Sequence, residues 1–94
     1  MSFPPFTAQS IVGVCVFDVS TSKVQILNIA VAEDSRTQGV GRKMIAALRD
    51  RYNTPIEAET DDDAVGFYRK CGFETTVFEK HNTRRYACVL QVIK

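Results

Sequence analysis

The sequence has a single histidine, His81, and three cysteines, Cys15, Cys71 and Cys88, that stand far apart. A structural or catalytic metal needs several nitrogen, sulfur or carboxylate ligands at close spacing, so no metal cofactor is expected. Two of the three cysteines lie in apolar stretches, and the set reads as buried thiols of a cytoplasmic protein rather than as redox or metal ligands. The formal net charge is only +1, which leaves no bulk electrostatic case for nucleic acid or an anionic membrane as partner. The opening Met1-Ser2-Phe3-Pro4-Pro5-Phe6 has no basic region and no long apolar run, so it reads as neither a secretory signal nor a membrane span. Repeats, low-complexity tracts and linkers are missing too. Residues 1–94 are therefore expected to form one domain, with residues 1–10 as an irregular, proline-bearing arm.

What is present is ordinary for a folded domain: 45% hydrophobic and 24% charged residues, in a chain long enough to bury a core. Residues 11–18 are β-branched and aromatic and predict a strand, followed by a polar hairpin loop over 19–22. Residues 24–31 predict a second strand, whose alternation gives way to continuous apolarity as in the middle of a covered sheet. From residue 40 the pattern changes. Val40, Met44, Ala47 and Leu48 recur at helical spacing, and the helix is expected to run to residue 52, before Pro55. A short strand follows over 56–60, so strand, helix, strand implies a right-handed crossover and a parallel pair. Asp61-Asp62-Asp63 reads as the N-cap and first turn of a second helix, with Ala64, Phe67, Tyr68 and Cys71 on its apolar face and Gly72 in a left-handed position past its end. Residues 73–78 and 85–92 predict an antiparallel pair joined through 79–84. The class is α/β with a mixed sheet, in the order β-β-α-β-α-β-β.

The stretch Arg36-Thr37-Gln38-Gly39-Val40-Gly41-Arg42-Lys43 joins the strand-like and helix-like patterns. A glycine-bearing turn there leaves the first helical amides pointing outward, where they and the positive helix end favour an anion, typically a phosphate. Gly39 and Gly41 would let that anion approach the backbone, and Arg36, Arg42 and Lys43 would surround it with charge. A plain turn at the start of a helix is the alternative. A Walker A loop would end in Gly-Lys-Ser/Thr, which Gly41-Arg42-Lys43 does not supply. A dinucleotide fingerprint needs a third glycine where Met44 stands.

Arg36 to Gly41 resembles the Arg/Gln-x-x-Gly-x-Gly/Ala element of the GNAT superfamily of acyl-CoA-dependent N-acyltransferases. Leu27-Asn28-Ile29-Ala30-Val31 before it and Phe67-Tyr68-Arg69-Lys70-Cys71-Gly72-Phe73 after it match as well, so the resemblance covers nearly the whole chain. It implies a GNAT-like fold, truncated at its N-terminus by the strand and two helices with which members usually begin. It also implies acetyl-CoA as cosubstrate and transfer of its acetyl group to a primary amine on a small molecule, peptide or protein. By the same resemblance Arg36, Thr37, Gln38, Gly39, Val40, Gly41 and Arg42 hold the pyrophosphate. The amides of Ile29, Ala30 and Val31 lie nearest the pantetheine, with Asp61 and Phe67 also against the cofactor. Asp61 stands where many members carry asparagine. Tyr68 matches the tyrosine that protonates the departing thiolate, its alternative being a core aromatic. No general base is assigned: Gln25 and Asn28 are not basic, and Glu57 and Glu59 read equally as paired carboxylates. A CoA-binding module without activity, or a partial domain completed by a partner subunit, is the alternative function. The first strand has no expected outer neighbour and is apolar on both faces, so self-association as a homodimer, or folding back of the arm, is expected.

Overall fold

A computed structural model describes residues 12–32 and 38–92. Two hairpins frame it. The first joins β1 (Gly13–Val19) to β2 (Val24–Val31) through a turn closed by Ser20 N–H donating to Lys23 O at 2.9 Å. The second joins β4 (Glu74–Lys80) to β5 (Thr83–Leu90). Between the hairpins in sequence come α1 (Val40–Arg51), β3 (Ile56–Thr60) and α2 (Val65–Lys70). The five strands form one sheet in the order β1-β2-β3-β5-β4. β2 and β3 are parallel, and every other neighbouring pair is antiparallel. The expected element order and class therefore hold, and β2 and β3 occupy the spans read from the sequence. The expected arm, Ile11 of the first strand, and Arg36 and Thr37 lie outside the described residues.

Both helices cover one face of the sheet. Ile56, Ala58 and Thr60 alternate inward on β3 and are buried, while Glu57 and Glu59 point to the other side. Val24, Ile26, Cys88 and Leu90 extend the inward face and meet Ile45 and Leu48 of α1, Tyr68 of α2, and Phe73 in a single core. Val24 and Ile56 are fully enclosed, each burial contributing about 2–3 kcal/mol. The buried stripe of α1 is Gly41, Ile45 and Leu48; of the expected stripe Leu48 is buried, Val40 and Met44 are half-buried beside β1, and Ala47 is exposed. The three aspartates fall ahead of α2 instead of inside it. Asp61 Oδ1 accepts the amides of Asp63 and Ala64, each at 3.1 Å, and the helix starts only at Val65. At its far end Gly72 has φ 95, the left-handed backbone expected there, and Phe73 N–H returns to Tyr68 O at 3.0 Å.

The opposite face carries no helix among the described residues. Its centre is polar, with Lys23 paired to Glu57 at 3.1 Å and Glu59 paired to Arg85 at 2.9 Å and to Lys80 at 3.6 Å. Towards the β1 edge it becomes apolar, where Val14, Val16 and Leu27 are 45%, 46% and 57% exposed.

The β4–β5 turn is tighter than the expected loop over 79–84. Pairing runs to Lys80 and Thr83, which leaves His81 and Asn82 alone at the tip with φ 53 and 62. Two consecutive left-handed residues match the twist of a hairpin but strain side-chain-bearing residues, histidine more than asparagine. Replacing the tip by His81→Asn together with Asn82→Gly is expected to raise stability by about 1 kcal/mol, read as a higher urea midpoint at unchanged slope.

Candidate functional site

The site begins with one extra residue in β2. Val16 pairs with Asn28, and the next residue of β1, Phe17, pairs with Ile26, so Leu27 bulges out of register. A bulge bends its strand and increases the local twist. Parallel pairing of β2 with β3 is accordingly confined to Val24 with Ile56 and Gln25 with Glu57. Beyond these pairs β2 continues along β1 up to Val31 with Gly13, while β3 continues along β5 up to Thr60 with Tyr86. Each diverging strand thus keeps a partner on its outer side. Between them opens a cleft of about 1110 Å³.

One end of the cleft is the start of α1. Gly39 is its N-cap at φ 73 and ψ 22, and no side chain caps it. The first helical bond is Lys43 N–H to Gly39 O at 3.0 Å, so the amides of residues 39–42 have no acceptor within the helix. The first turn holds no acidic residue, and its positive end stays uncompensated by its own side chains. Gln38, Gly39, Gly41 and Arg42 line this end. Val40 does not: a Cβ built at Gly13 would lie 2.8 Å from Val40 Cγ1, so this side chain packs on β1.

Gly41 has a neighbour that the sequence did not show. It is buried, and a Cβ there would lie 2.7 Å from Phe67 Cε1 and 2.9 Å from Phe67 Cζ. Its missing side chain therefore admits the Phe67 ring, and the open position beside the turn is Gly39, where an added Cβ meets nothing within 4 Å. Ile29, Ala30 and Val31 line the cleft as expected positions, joined by Ile26, Leu27 and Asn28. From Leu27 to Ala30 the inner edge of β2 has no strand partner, and backbone groups on that edge open into the cleft.

Tyr68 and Phe67 stand on the α2 wall. Tyr68 is 5% exposed and meets Phe67 and Phe73 edge-on, each with ring centroids 5.1 Å away. It is at once a core aromatic and a cleft residue. Burial, with lesser contributions from the Cys88, Cys15 and Cys71 thiols, pushes its phenol up to about 12, so the hydroxyl is a neutral donor at any working pH. Asp61 lines the cleft with its Oδ1 engaged in the turn before α2. Glu59 also reaches the cleft, but the Arg85 hydrogen bond first, then the Lys80 and Arg85 charges, hold its carboxyl below the usual range. A paired, weakly basic carboxylate is poorly suited to take a proton from an ammonium. Glu57 is tied to Lys23. Among the described residues no group of three His, Cys, Asp or Glu could hold a metal ion, and no helix is long and apolar enough to cross a membrane.

Sequence reasoning missed Ile26, Thr60, Lys70 and Cys71 as cleft residues. Thr60 had a signal: it is the polar end of the inward alternation Ile56, Ala58, Thr60. Lys70 and Cys71 lie three and four positions after Phe67, on the same helix face.

Comparison with known proteins gives the same architecture. The family model described as Acetyltransferase (GNAT) domain matches residues 6–75. Ard1 from Thermoplasma volcanium superposes with a TM-score of 0.73 at 28% identity, over 90% of this chain and 66% of that one. The ribosomal-protein-S18-alanine N-acetyltransferase from Escherichia coli gives 0.69 at 20% identity, over 86% and 61%. A Bacillus anthracis protein solved in complex with acetyl coenzyme A gives 0.74 at 24%, over 94% and 60%. The chain thus spans between 60% and 66% of the length of these proteins. No curated protein matches the sequence.

The packing at Gly41 yields a test. Gly41→Ala forces a methyl against the Phe67 ring, and overpacking of this kind costs about 1–3 kcal/mol. Phe67→Leu in the same background is expected to recover part of that loss, giving a favourable coupling in a double-mutant cycle of urea melts. Additive losses would place the two residues out of contact.

Proposed function

Because the chain belongs to the GNAT acetyltransferase family, we propose that it binds acetyl-CoA in the β2–β3 cleft and transfers the acetyl group to a primary amine. The observation that carries this reading is the seam of two residue pairs opening onto the bare amides of α1. A slot between parallel strands fits an extended pantetheine arm, and the helix start beside it fits a pyrophosphate. Arg36 and Thr37 would belong to the same phosphate loop. Free backbone amides on the inner edge of β2 would polarise the thioester carbonyl. The amine nitrogen then attacks the carbonyl carbon, the C–S bond breaks with its electron pair on sulfur, and the thiolate needs a proton or a strong hydrogen bond.

Tyr68 is the donor for that sulfur, and its environment sets how much it gives. With the phenol at about 12 and an ordinary thiol near 8.5, complete proton transfer runs uphill by about 5 kcal/mol. Its contribution is therefore hydrogen bonding to developing negative charge more than early protonation. No base is assigned. The amine arrives neutral or loses its proton to water. The free thiols Cys15, Cys71 and Cys88 fit a reducing, cytoplasmic setting.

The uncovered sheet face favours a second reading, a CoA-binding module whose acceptor side is completed by another subunit. On that face Leu27 lines the cleft, and it and Val14 and Val16 of the neighbouring β1 are all more than 40% exposed. β1 is an edge strand, and pairing of β1 with its copy across a two-fold axis is the simplest homodimer.

Release of CoA followed with DTNB across a panel of amines separates the readings. Tyr68→Phe is expected to lower kcat about ten- to a hundredfold with acetyl-CoA KM little changed. A donor is active below its pKa, so no alkaline fall from Tyr68 should occur below about pH 11. Acetyl-CoA binding without turnover of any amine would leave the module reading standing, and full activity in Tyr68→Phe would return Tyr68 to packing alone. Light scattering at micromolar concentration is expected to give twice the 10.5 kDa chain mass; a monomer would remove the homodimer.

A further inference from the structure

We propose that Lys70 is a specificity residue of this cleft, reading the ribose 3′-phosphate that distinguishes CoA from 3′-dephospho-CoA; the inference rests on the acetyl-CoA reading above. Among the described residues only two cationic side chains, Arg42 and Lys70, line the cleft. Neither takes part in an ion pair or hydrogen bond among those residues. Six other cations among the described residues are engaged: Lys23, Lys80, Arg84 and Arg85 in ion pairs, Arg49 on Gln91 O and Arg51 on the Tyr52 hydroxyl; Lys43 is not, but it does not line the cleft. The contrast is sharpest next door. Arg69 donates to Thr75 Oγ1 at 3.1 Å and lies over the Tyr86 ring at 5.5 Å, away from the cleft. Lys70 is left uncommitted on the cleft wall.

Its place along the cleft follows from three relations. Phe67, Lys70 and Cys71 share one face of α2. Phe67 lies against Gly41 at the start of α1, and the Cys71 thiol feels the Arg42 charge. Lys70 thus stands beyond Phe67 at the phosphate end, across from Arg42, while Asp61 and Asp63 line the opposite end of α2. The amides of residues 39–42, with Arg42, suffice for the two charges of a pyrophosphate. The third phosphate of the ligand is a dianion further from the thioester, and the uncommitted ammonium on the facing wall matches it in sign and position. A purely structural role also exists, since a lysine in the last turn offsets the negative end of α2.

Titration calorimetry of the full chain with CoA and with 3′-dephospho-CoA tests the assignment. The wild-type chain is expected to prefer CoA by about tenfold, the scale of one charge-assisted contact. Lys70→Gln should weaken CoA by about five- to twentyfold and leave 3′-dephospho-CoA unchanged. Lys70→Arg should keep the preference, and Arg69→Gln should change neither affinity. Equal weakening of both ligands by Lys70→Gln would move Lys70 to the pyrophosphate and overturn the proposal. Unchanged affinity for both, with a lower melting temperature, would reduce it to the helix end. A wild-type chain that binds neither compound would overturn the acetyl-CoA reading itself, and this inference with it.

Discussion

Everything at the candidate site depends on one unmatched residue. Leu27 interrupts the β1–β2 register, and past the first two pairs β2 can no longer follow β3. A sheet opened in its middle would ordinarily strand two rows of backbone donors and acceptors, each unpaired buried group costing about 1–3 kcal/mol. The arrangement avoids most of that cost. β2 stays bonded to β1, and β3 stays bonded to β5 along its whole length, so only the inner edges are left open. Those open edges line the cleft.

The walls of the cleft are also the core of the protein. Tyr68 belongs to the same buried cluster as Ile45, Ile56 and Leu90 and still reaches the cleft surface. The packing that fixes its ring removes water from its hydroxyl and makes the phenol a weaker acid. Rigidity and acidity are set by one cause and move in opposite directions. Gly41 shows the same economy on α1: the position without a side chain brings the helix start and the α2 aromatics together, so the start of α1 and the α2 wall of the cleft form one packed unit.

The sequence was most legible where a residue has one physical use. Gly72 past α2 was read correctly because a left-handed backbone selects glycine, and the turn before α1 was read from its glycines. β3 was bounded by Pro55 and by the aspartates, and β2 by the polar turn before it. Legibility failed where a residue had two uses. Leu27-Asn28-Ile29-Ala30 is a nearly continuous apolar run, and nothing in it marks which residue leaves the register. Gly41 sits in a glycine pair that suggests a phosphate, whereas its neighbour in space is an aromatic ring. Asp61 caps a turn by accepting two amides, and α2 begins later than an N-cap reading implies. His81-Asn82 lacks the glycine that usually announces a two-residue hairpin turn, which hid the tightness of the β4–β5 connection.

The short parallel seam also divides the molecule mechanically. On one side are β1, β2 and α1; on the other are β3, α2, β5 and β4, and the backbone ladder between them is two residue pairs long. Apart from the chain linking α1 to β3 and the Val24 N–H bond to Pro55 O, the halves are held among the described residues mainly by side chains, chiefly Ile45 and Leu48 against the far sheet. A long ligand lying in the seam would act as a splint, bridging α1 amides on one half to the α2 wall on the other. Its binding free energy would then be carried by the weakest joint of the fold, and folding stability would climb with the logarithm of free ligand concentration above its dissociation constant.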